Sequence, residues 1–426
     1  MKGLTISRRR FVQSTAASMA AVSFPWVADG RVLGANDRIG FAVIGVGGMG
    51  TGHLGGLVKR SQEENIQVRA VADVYRRRLT RAQKICGGDG YLDYRRILER
   101  QDIDAVLVAT PDHWHAKISI DAMESGKDVY VEKPMTHTVE QALAVRNTVR
   151  RTRRVLQVGP NGTAQDSYWV ARQAVEAGRI GKVTWAQGSY NRNSRVCLFN
   201  DHQKIDASAG PGQPGEDFID WNMWLGHEWG LAEKIPWNPE HFFRFRKYWP
   251  YNGGVATDLL YHKLAPLLIA IKGPNGEYPT RVNANGGLYV EKDGRDIPDT
   301  FLMTADYPSE WSLFLVSTLT NDSGLPDRIY GKHGTMELGG EPHLKFNGPY
   351  AEEFKSRNEG KEELRLPLKP RRDLAGNFID VLRGKATLQC NVELGCSTMI
   401  AIKMAVESFR QGKSMKWDAA SEKVVS

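Results

Sequence analysis

Short apolar runs alternate with longer segments of helical spacing in the first third of this chain. Ile103–Ala109 is an apolar run bounded by turn residues, which is typical of a central parallel strand covered on both faces. Trp114–Ser125 and Val139–Arg151 have helical spacing, and Asp128–Val131 and Val155–Val158 are further short strands. This order predicts an α/β domain built on a doubly wound parallel sheet.

A glycine-rich turn follows the first apolar run. Ile39–Ile44 leads into Gly45, Gly47 and Gly50, which are spaced G-x-G-x-x-G at the start of a predicted helix. In a dinucleotide site the first glycine makes the tight turn, the second lets the backbone approach the pyrophosphate, and the third allows close packing of helix on strand. The free N–H groups and dipole of the helix N-terminus also favour an anion. The sequence therefore predicts a dinucleotide-binding loop.

An acidic residue follows this loop at the expected distance. A second apolar strand, Val68–Ala72, ends in Asp73, where the dinucleotide fold needs a carboxylate for the adenosine ribose hydroxyls. Asp73 therefore favours NAD. Arg76, Arg77 and Arg78 follow closely, and a guanidinium at this place accommodates a 2′-phosphate. NADP thus stays open as an alternative.

The first 35 residues have the pattern of an export signal. Paired arginines, Arg8 and Arg9, precede Phe11 and a mildly apolar run of small residues, which predicts export by the twin-arginine route to the periplasm. The run is too short and too rich in alanine to span a bilayer stably, so we expect no membrane span after processing. Removal of residues 1–35 lowers the formal charge from +8 to about +4.

The remaining chain has the composition of a globular protein of two domains. Hydrophobic residues make up 41% of the sequence and charged residues 25%, which is typical of such proteins. The basic run Arg146–Arg154 is typical of a solvated helix face, and we expect no nucleic-acid partner. Cys86, Cys197, Cys390 and Cys396 lack the paired spacing and the histidine framework of a zinc site, so no metal site is predicted.

Several further motifs, together with the glycine loop, point to one family. They are Ala109–Pro111 with His115 nearby, Lys127–Pro134, Gln157–Gly159 and Gly253–His262. With these motifs the chain resembles the glucose-fructose oxidoreductase/inositol dehydrogenase (Gfo/Idh/MocA) family. The resemblance covers nearly all of the chain after the export segment.

The resemblance implies two domains after the signal. Residues 36–158 are expected to form a Rossmann NAD(P)-binding domain. Residues 159–426 are expected to form an α+β substrate and oligomerisation domain, with an open, largely antiparallel sheet of a kind that often dimerises in the family. Residues 373–411 are predicted to be helical and to form the last part of this second domain. The strand candidates of the second domain are Val183–Ser189, Thr280–Tyr289, Thr300–Ala305, Ser312–Thr318 and Arg328–Leu338.

The resemblance also implies a catalytic site made by both domains. It places Lys133 of the Glu-Lys-Pro motif beside the nicotinamide, with Asp258 and His262 supplied by a helix of the second domain. Asp258 and His262 are four residues apart and share one helix face. Oxidation of an alcohol needs a base for the hydroxyl proton, which suits His262, and the Lys133 ammonium stabilises developing alkoxide charge. Asp258 either binds a second hydroxyl or orients the histidine.

The predicted cofactor-binding set combines the glycine loop with residues at strand ends. His113 and His115 flank Trp114 just after a central strand. His115 either contacts the nicotinamide ribose or has a core or capping role, and the sequence leaves both alternatives open. The aromatic segment Ile219–Tyr251 predicts a mixture of sugar-stacking faces and core. The cofactor-binding set is Gly45, Gly47, Gly48, Met49, Gly50, Asp73, Thr110, Pro111, His115, Glu132 and Lys133.

These features predict an NAD(P)-dependent oxidoreductase that acts on a hydroxyl or carbonyl group of a sugar or polyol. An exported enzyme has no pool of free nicotinamide cofactor, so we expect a tightly bound cofactor that is recycled on the enzyme. The alternative is an NAD-dependent glycoside-cleaving enzyme, with a transient 3-keto intermediate, elimination and hydration. Glycosidases that resemble the family often depart from Glu-Lys-Pro, so the intact motif favours simple hydride transfer. Intact Lys133, Asp258 and His262 also disfavour a sensor that binds sugar without catalysis.

Overall fold

The structure is a computed structural model that describes residues 38–200 and 204–426. The predicted twin-arginine segment at residues 1–35 lies outside these described residues. Two sheets organise the described chain, one with six strands and one with ten. None of the described helices combines the length and apolar character needed to cross a membrane.

The first sheet is parallel and has the strand order β3-β2-β1-β4-β5-β6. The strands β1 and β4 are buried at every position, as the apolar runs predicted for strands covered on both faces. The strand order reverses between β1 and β4, which leaves a crevice at the carboxyl ends of these strands. The six strands are β1 (Ile39–Ile44), β2 (Ile66–Ala72), β3 (Asp89–Tyr91), β4 (Ala105–Val108), β5 (Asp128–Val131) and β6 (Leu156–Val158).

Five helices connect these strands. The last of them begins at a capping box, in which the Thr138 side chain accepts from the Gln141 backbone N–H and the Gln141 side chain reaches back to the cap. The fourth begins at Asp112, two residues before the predicted start at Trp114. The acidic Asp112 lies in the first turn, where the helix dipole is positive. The helices are α1 (Gly48–Lys59), α2 (Arg76–Cys86), α3 (Arg95–Leu98), α4 (Asp112–Glu124) and α5 (Val139–Thr152).

The second sheet is open and largely antiparallel, as predicted. Its strand order is β14-β13-β12-β11-β7-β10-β9-β8-β15-β16, and β7 pairs with β10 in parallel. The strands are β7 (Val183–Ser189), β8 (Arg281–Gly287), β9 (Thr300–Tyr307), β10 (Trp311–Thr318), β11 (Arg328–Gly331), β12 (Gly334–Glu337), β13 (His343–Phe346), β14 (Glu363–Arg365), β15 (Met415–Asp418) and β16 (Lys423–Val425).

The prediction of one strand over residues 328–338 is wrong. The segment is a hairpin in which β11 and β12 pair antiparallel, so that Arg328 lies opposite Glu337. Lys332 and His333 form the connection between the two strands. Two residues are enough to reverse an antiparallel pair, and the apolar alternation continues on both sides of them, which hides the turn in the sequence.

Seven α-helices occur in the described residues after β6. Two of them, α9 and α12, pack together and cover one face of the second sheet, with most of the sheet contacts between α12 and β8. Side chains on the opposite face, among them Trp185, Phe314 and Tyr330, stay partly exposed. The helices are α6 (Asp166–Glu176), α7 (Trp221–Leu225), α8 (Pro239–Phe243), α9 (Tyr261–Lys272), α10 (Ala351–Arg357), α11 (Leu374–Leu382) and α12 (Val392–Gln411).

The assignment of the whole tail at residues 373–411 to the second domain is wrong for α11. This helix packs on the first sheet, where the Phe378 ring lies 6.2 Å from that of Phe41 and 6.0 Å from that of Tyr130. Leu374, Phe378 and Leu382 recur every four residues and form the apolar stripe that this contact buries. The chain therefore returns to the first domain before α12 closes the second.

The aromatic segment of the second domain lies against the loop that follows β2. The Asp220 backbone N–H donates to the Val74 carbonyl at 2.9 Å, and the Arg76 N–H donates to the Phe218 carbonyl at 3.1 Å. Behind these contacts the aromatic side chains form a separate cluster that includes Tyr75. The segment thus positions second-domain residues over the carboxyl end of the first sheet.

Candidate active site

One cavity of about 480 Å³ lies in the crevice at the carboxyl ends of the first sheet. Its walls come from both domains, from the glycine loop at one side to the start of α9 at the other. Gly50 is the one predicted site residue that does not line it. The predicted residues that do are Gly45, Gly47, Gly48, Met49, Asp73, Thr110, Pro111, His115, Glu132, Lys133, Asp258 and His262.

The glycine loop has the geometry that a bound pyrophosphate needs. Gly45 has a φ of +83°, and a Cβ there would lie 2.8 Å from the backbone of Ala109 and Thr110. A Cβ on Gly50 would lie 1.8 Å from the Gly45 carbonyl oxygen, so only glycine allows α1 to pack this closely. Around Gly48 a Cβ would meet open space within 4 Å. The N-terminus of α1 therefore opens into the cavity, where its free N–H groups can hold phosphate oxygens.

Asp73 closes the other side of this loop. Its carboxylate accepts from the Val46 N–H at 2.8 Å and from the Tyr75 N–H at 2.9 Å. Burial raises the pKa of Asp73, against the nearby charge of Arg78. The two backbone contacts hold the carboxylate at the cavity wall, in the position predicted for a ribose ligand.

The three arginines after β2 have separate environments. The Arg76 guanidinium lies over the Phe218 ring at 5.4 Å, and Arg77 pairs with Asp206 and Asp217. Arg78 is the only one of the three that lines the cavity. The NADP alternative therefore depends on Arg78.

Lys133 and Asp258, which are 125 residues apart, form a buried ion pair between the domains. The Lys133 Nζ donates to the Asp258 Oδ1 at 2.9 Å and to the Asp258 carbonyl oxygen at 3.0 Å. The exposed fractions of the two side chains are 11% and 10%, so water screens the pair little. The structure thus brings two of the three predicted catalytic residues into direct contact.

A π-helical turn carries Asp258. Ala256–Leu260 forms this turn, and α9 with His262 begins directly after it. Such turns are rare and occur often at functional sites. The predicted helix therefore exists, but its first turn is wider than an α-helical turn, and its Asp258 carbonyl oxygen is available to Lys133.

Arg246 is a second cation on Asp258 that sequence reasoning missed. Its Nε donates to the Asp258 Oδ1 at 3.1 Å, and it lines the cavity. Burial alone would raise the pKa of Asp258, but the charges of Lys133 and Arg246 lower it well below the usual range. The two cations therefore favour the ionised form of Asp258.

His262 lies at the same end of the cavity. The Tyr190 ring packs edge-on against its imidazole, with the ring centroids 5.5 Å apart. Burial lowers the pKa of His262 to about 4, and the positive charge of Lys133 contributes in the same direction. The imidazole is therefore neutral near pH 7 and has a nitrogen lone pair that can accept a proton.

His115 has a positioning role in the structure. One ring nitrogen lies 2.6 Å from the Pro134 carbonyl oxygen and the other 2.9 Å from that of Thr110. Both nitrogens thus face backbone carbonyls, which leaves none for a cofactor, and the ring ties together the segments after β4 and β5. His113 is fully buried, with a ring nitrogen 3.0 Å from the Trp224 carbonyl oxygen, and belongs to the core.

Comparison with known proteins identifies the first domain. Residues 39–160 match the profile of the family described as "Oxidoreductase family, NAD-binding Rossmann fold" (GFO_IDH_MocA). These residues are a Gfo/Idh/MocA NAD-binding domain. The cofactor of the Gfo/Idh/MocA domain is therefore NAD, and the glycine loop and Asp73 fit it.

A sequence relative and two solved structures extend the comparison. A "Glycosyl hydrolase family 109 protein" from Shewanella baltica is 32% identical over 320 residues, which cover 70% of this chain and 64% of the relative. Levoglucosan dehydrogenase in complex with NADH superposes with a TM-score of 0.63 at 17% identity, covering 89% of this chain and 98% of that one. The WlbA dehydrogenase from Bordetella pertussis, in complex with NADH and UDP-GlcNAcA, has a TM-score of 0.65 at 17% identity, covering 90% and 99%.

The structural similarity and the sequence similarity support different conclusions. The structural similarity, at less than one-fifth identity, shows that this chain shares its fold with both dehydrogenases across nearly its whole described length. The chain matches 64% of the length of the glycosyl hydrolase relatives.

Two further features of the site were not predicted from the sequence. His53 on α1 lies 2.6 Å from the Glu132 Oε1, and this contact ties the glycine-loop helix to the Glu-Lys-Pro turn. Asp112 accepts from the Asn252 side chain at 2.6 Å, and burial raises the pKa of Asp112 to about 7. Both contacts join residues at least 79 positions apart, so no local pattern reveals them.

The aromatic segment contributes to the cavity as the mixed interpretation predicts. Met223, Trp224, Phe242 and Phe245 line the cavity, and Trp221, Trp237 and Phe243 pack within the segment. Trp229 packs against Trp114 of the first domain, and Trp249 against Phe409. The described residues contain no group of three or more His, Cys, Asp or Glu side chains that could hold a metal ion.

The Asp73→Ala variant is expected to weaken NAD binding about 10- to 100-fold, the effect of losing charge-assisted hydrogen bonds. NADP binding should fall less, because a 2′-phosphate cannot use the carboxylate. Calorimetric titration of the apoprotein with both cofactors measures the difference. Asp102→Ala, an exposed carboxylate at the opposite end of the sheet, is the control. Equal losses for NAD and NADP would mean that Asp73 acts only by holding the loop.

Proposed function

We propose that this protein is an NAD-dependent oxidoreductase that transfers a hydride between the cofactor and a carbinol carbon of a sugar or polyol. One observation carries the proposal: Lys133, Asp258 and His262 line the same cavity as the glycine loop and Asp73. The named activities of the structurally similar dehydrogenases, one of them in complex with UDP-GlcNAcA, support a carbohydrate substrate.

His262 is the proton acceptor in this proposal. NAD, when held by the glycine loop and Asp73, supplies the hydride acceptor. As the C–H bond breaks, the hydroxyl of the same carbon must lose its proton, and the neutral imidazole of His262 takes it. In the reverse direction the imidazolium returns the proton to the alkoxide oxygen.

Lys133 stabilises the reacting oxygen in this proposal. Its ammonium is fixed by two contacts with Asp258, and a third N–H remains for the substrate oxygen. A donor fixed before the reaction stabilises negative charge that develops on that oxygen without reorganisation. Asp258 therefore acts as the residue that positions Lys133.

A second candidate function follows from the glycosyl hydrolase relatives. A hydroxyl of a glycoside is first oxidised to a ketone, which acidifies the neighbouring C–H. Loss of that proton expels the aglycone, water adds to the double bond, and the hydride returns to the carbonyl carbon. Both candidates begin with the same proton transfer to His262 and the same hydride transfer, so the site geometry serves either.

The two functions are separated by incubating the purified protein with free sugars and with aryl glycosides. An oxidoreductase produces reduced cofactor from a free sugar, and a second sugar then discharges it. A glycoside-cleaving enzyme releases the aglycone with no net change in nicotinamide absorbance. If neither substrate class changes the cofactor absorbance or releases aglycone, the proposal fails.

We also propose that the protein works in the periplasm with its cofactor retained. The paired Arg8 and Arg9 support export, and a compartment without free nicotinamide nucleotides requires a cofactor that stays bound through the cycle. Cell fractionation should place the protein in the periplasm, and a mass spectrum of the denatured protein should contain NAD. Protein found in the cytoplasm would contradict the first part, and exported protein without nucleotide the second.

We further propose that the protein forms homo-oligomers through the uncovered face of the second sheet. Trp185 is 38% exposed on this face and stacks on Tyr330 at 3.8 Å, which gives a rigid apolar platform. The Trp185→Asp variant is expected to shift the mass measured by light scattering toward the monomer, because association would bury the new carboxylate. Val290→Asp, at a position 63% exposed outside the strands, is the control. A wild-type monomer would refute the proposal.

A further inference from the structure

Two arginines line the cavity near different members of the proposed catalytic set. Arg192 and Arg246 both line it. The charge of Arg192 acts on His262, whereas Arg246 contacts Asp258 directly. The substrate end of the cavity therefore carries more cationic groups than the proposed hydride transfer requires.

The carboxylates at this end do not balance these cations. Asp258 is a single carboxylate that faces both Lys133 and Arg246. Glu132 lies against His53, and its charge also acts on Lys133 and His262, so two carboxylates face the three cations Lys133, Arg192 and Arg246. Asp112 is buried and bonded to Asn252, where its raised pKa reduces its negative charge near pH 7. The residual charge around the substrate end is therefore positive.

An aromatic ring, and no acidic side chain of the described residues, holds Arg192 in place. Its guanidinium lies 4.4 Å above the Tyr190 ring and donates to the Tyr190 hydroxyl at 2.6 Å, and the same ring packs against His262. No carboxylate among residues 38–200 and 204–426 forms an ion pair with Arg192. A fixed guanidinium with remaining N–H donors is suited to a carboxylate or phosphate.

Arg246 also keeps donors for a ligand. It uses Nε for Asp258, and its two terminal nitrogens donate to no residue in the described part of the chain. The Phe245 ring supports the guanidinium at 4.6 Å. Arg246 thus resembles Arg192 in having an aromatic support, although both terminal nitrogens of Arg192 also donate within the loop, to the Tyr190 hydroxyl and the Asn191 carbonyl.

We propose that Arg192, assisted by Arg246, binds an anionic group of the substrate, so that the enzyme prefers a sugar carrying a carboxylate or a phosphoryl group over the neutral sugar. The inference rests on the proposed function, because it concerns the same site. Arg192 acts here as a specificity-determining residue: it touches the anionic group, while His262 and Lys133 act on the carbinol.

The test compares matched sugars with the cofactor-loaded protein. The panel contains glucose, galactose and mannose, the three corresponding hexuronates and the three 6-phosphates. We expect kcat/KM at least 10-fold higher for one anionic series than for the neutral sugars, the size of one charge-assisted hydrogen bond. The series that is preferred identifies the anionic group as carboxylate or phosphoryl.

Two arginine variants separate recognition from structure. Arg192→Gln is expected to lower kcat/KM for the anionic series about 10- to 100-fold and to lower it for the neutral sugars by a clearly smaller factor. Arg195→Gln is the matched control, because Arg195 is an exposed arginine of the same loop that does not line the cavity. Neutral sugars used as well as anionic ones, or an equal loss for both series in Arg192→Gln, would overturn the inference and leave the oxidoreductase proposal intact.

Calorimetric binding of the same panel distinguishes the remaining outcomes. If no sugar is turned over but the anionic series binds and Arg192→Gln abolishes that binding, the proposed function fails, and only the assignment of Arg192 as the group that binds the anion stands. If no sugar is turned over and the anionic sugars do not bind more tightly than the neutral ones, both fail.

Discussion

The Lys133→Met variant is expected to lose about 10²- to 10³-fold in kcat, the effect of removing one preorganised donor from a developing oxyanion. The methionine keeps the apolar stem of the lysine. Asp258 keeps Arg246 as its partner at 3.1 Å, so its carboxylate is not left as an unpaired buried charge, and folding should be retained. NAD affinity should change little, because the glycine loop and Asp73 hold the cofactor at the other end of the cavity.

Lys127→Met is the matched control for this variant. Lys127 lies just before the amino end of the same strand, β5, and its Nζ donates to the Arg100 carbonyl at 2.6 Å, away from the cavity. Steady-state kinetics with the best sugar, together with the melting temperature of each variant, separates catalysis from stability. A Lys133→Met enzyme with kcat close to wild type would remove Lys133 from the mechanism.

The His262→Asn variant is expected to lose about 10²- to 10⁴-fold in kcat/KM, the usual contribution of a general base. Asparagine keeps a polar side chain of similar size but cannot accept the hydroxyl proton. His241→Asn is the control, because His241 stacks on Tyr248 outside the cavity. A similar loss in both variants would show that the effect is structural.

The pH dependence of kcat/KM tests the role of His262 separately. Its pKa is lowered from an ordinary 6.5 to about 4, so the base stays neutral as pH falls through 6 and becomes protonated only near pH 4. Wild-type kcat/KM should therefore decline on the acid side around pH 4, and this decline should be absent in His262→Asn. The lowered pKa also costs stability: between pH 6.5 and 4 the unfolded chain binds the proton and the folded protein does not, so stability falls as the pH falls. An acid limb near pH 6.5 would contradict a buried base.

Local sequence patterns predicted the first domain well because its elements follow from local rules. Apolar runs such as Ile103–Ala109 are long enough to mark buried strands, and Gly45 and Gly50 occupy positions where a Cβ would collide with backbone. The order of strand and helix then permits few topologies for a parallel sheet. The family resemblance supplied the pairing of Lys133 with the Asp258–His262 helix, which no local rule contains.

The features that the sequence did not predict depend on contacts between distant segments. Arg246 and Arg192 are ordinary surface-type residues in the sequence, and only the packing of the two domains places them at the cavity wall. His53 lies behind that wall because α1 packs beside the turn after β5, 79 residues along the chain. The β11–β12 hairpin was missed because its turn, Lys332-His333, lacks the residues that usually mark a reversal. Helix α11 was placed on the wrong domain because an apolar stripe shows that a helix packs, but not on which surface.

The position of α11 determines how the protein can be divided. A fragment that ends after β6 would expose the face of Phe41 and Tyr130 that Phe378 covers, and such a fragment is expected to aggregate. An isolated nucleotide-binding unit for crystallography or NMR therefore needs residues 374–382 reattached through a linker, or a circularly permuted chain in which this helix precedes β1.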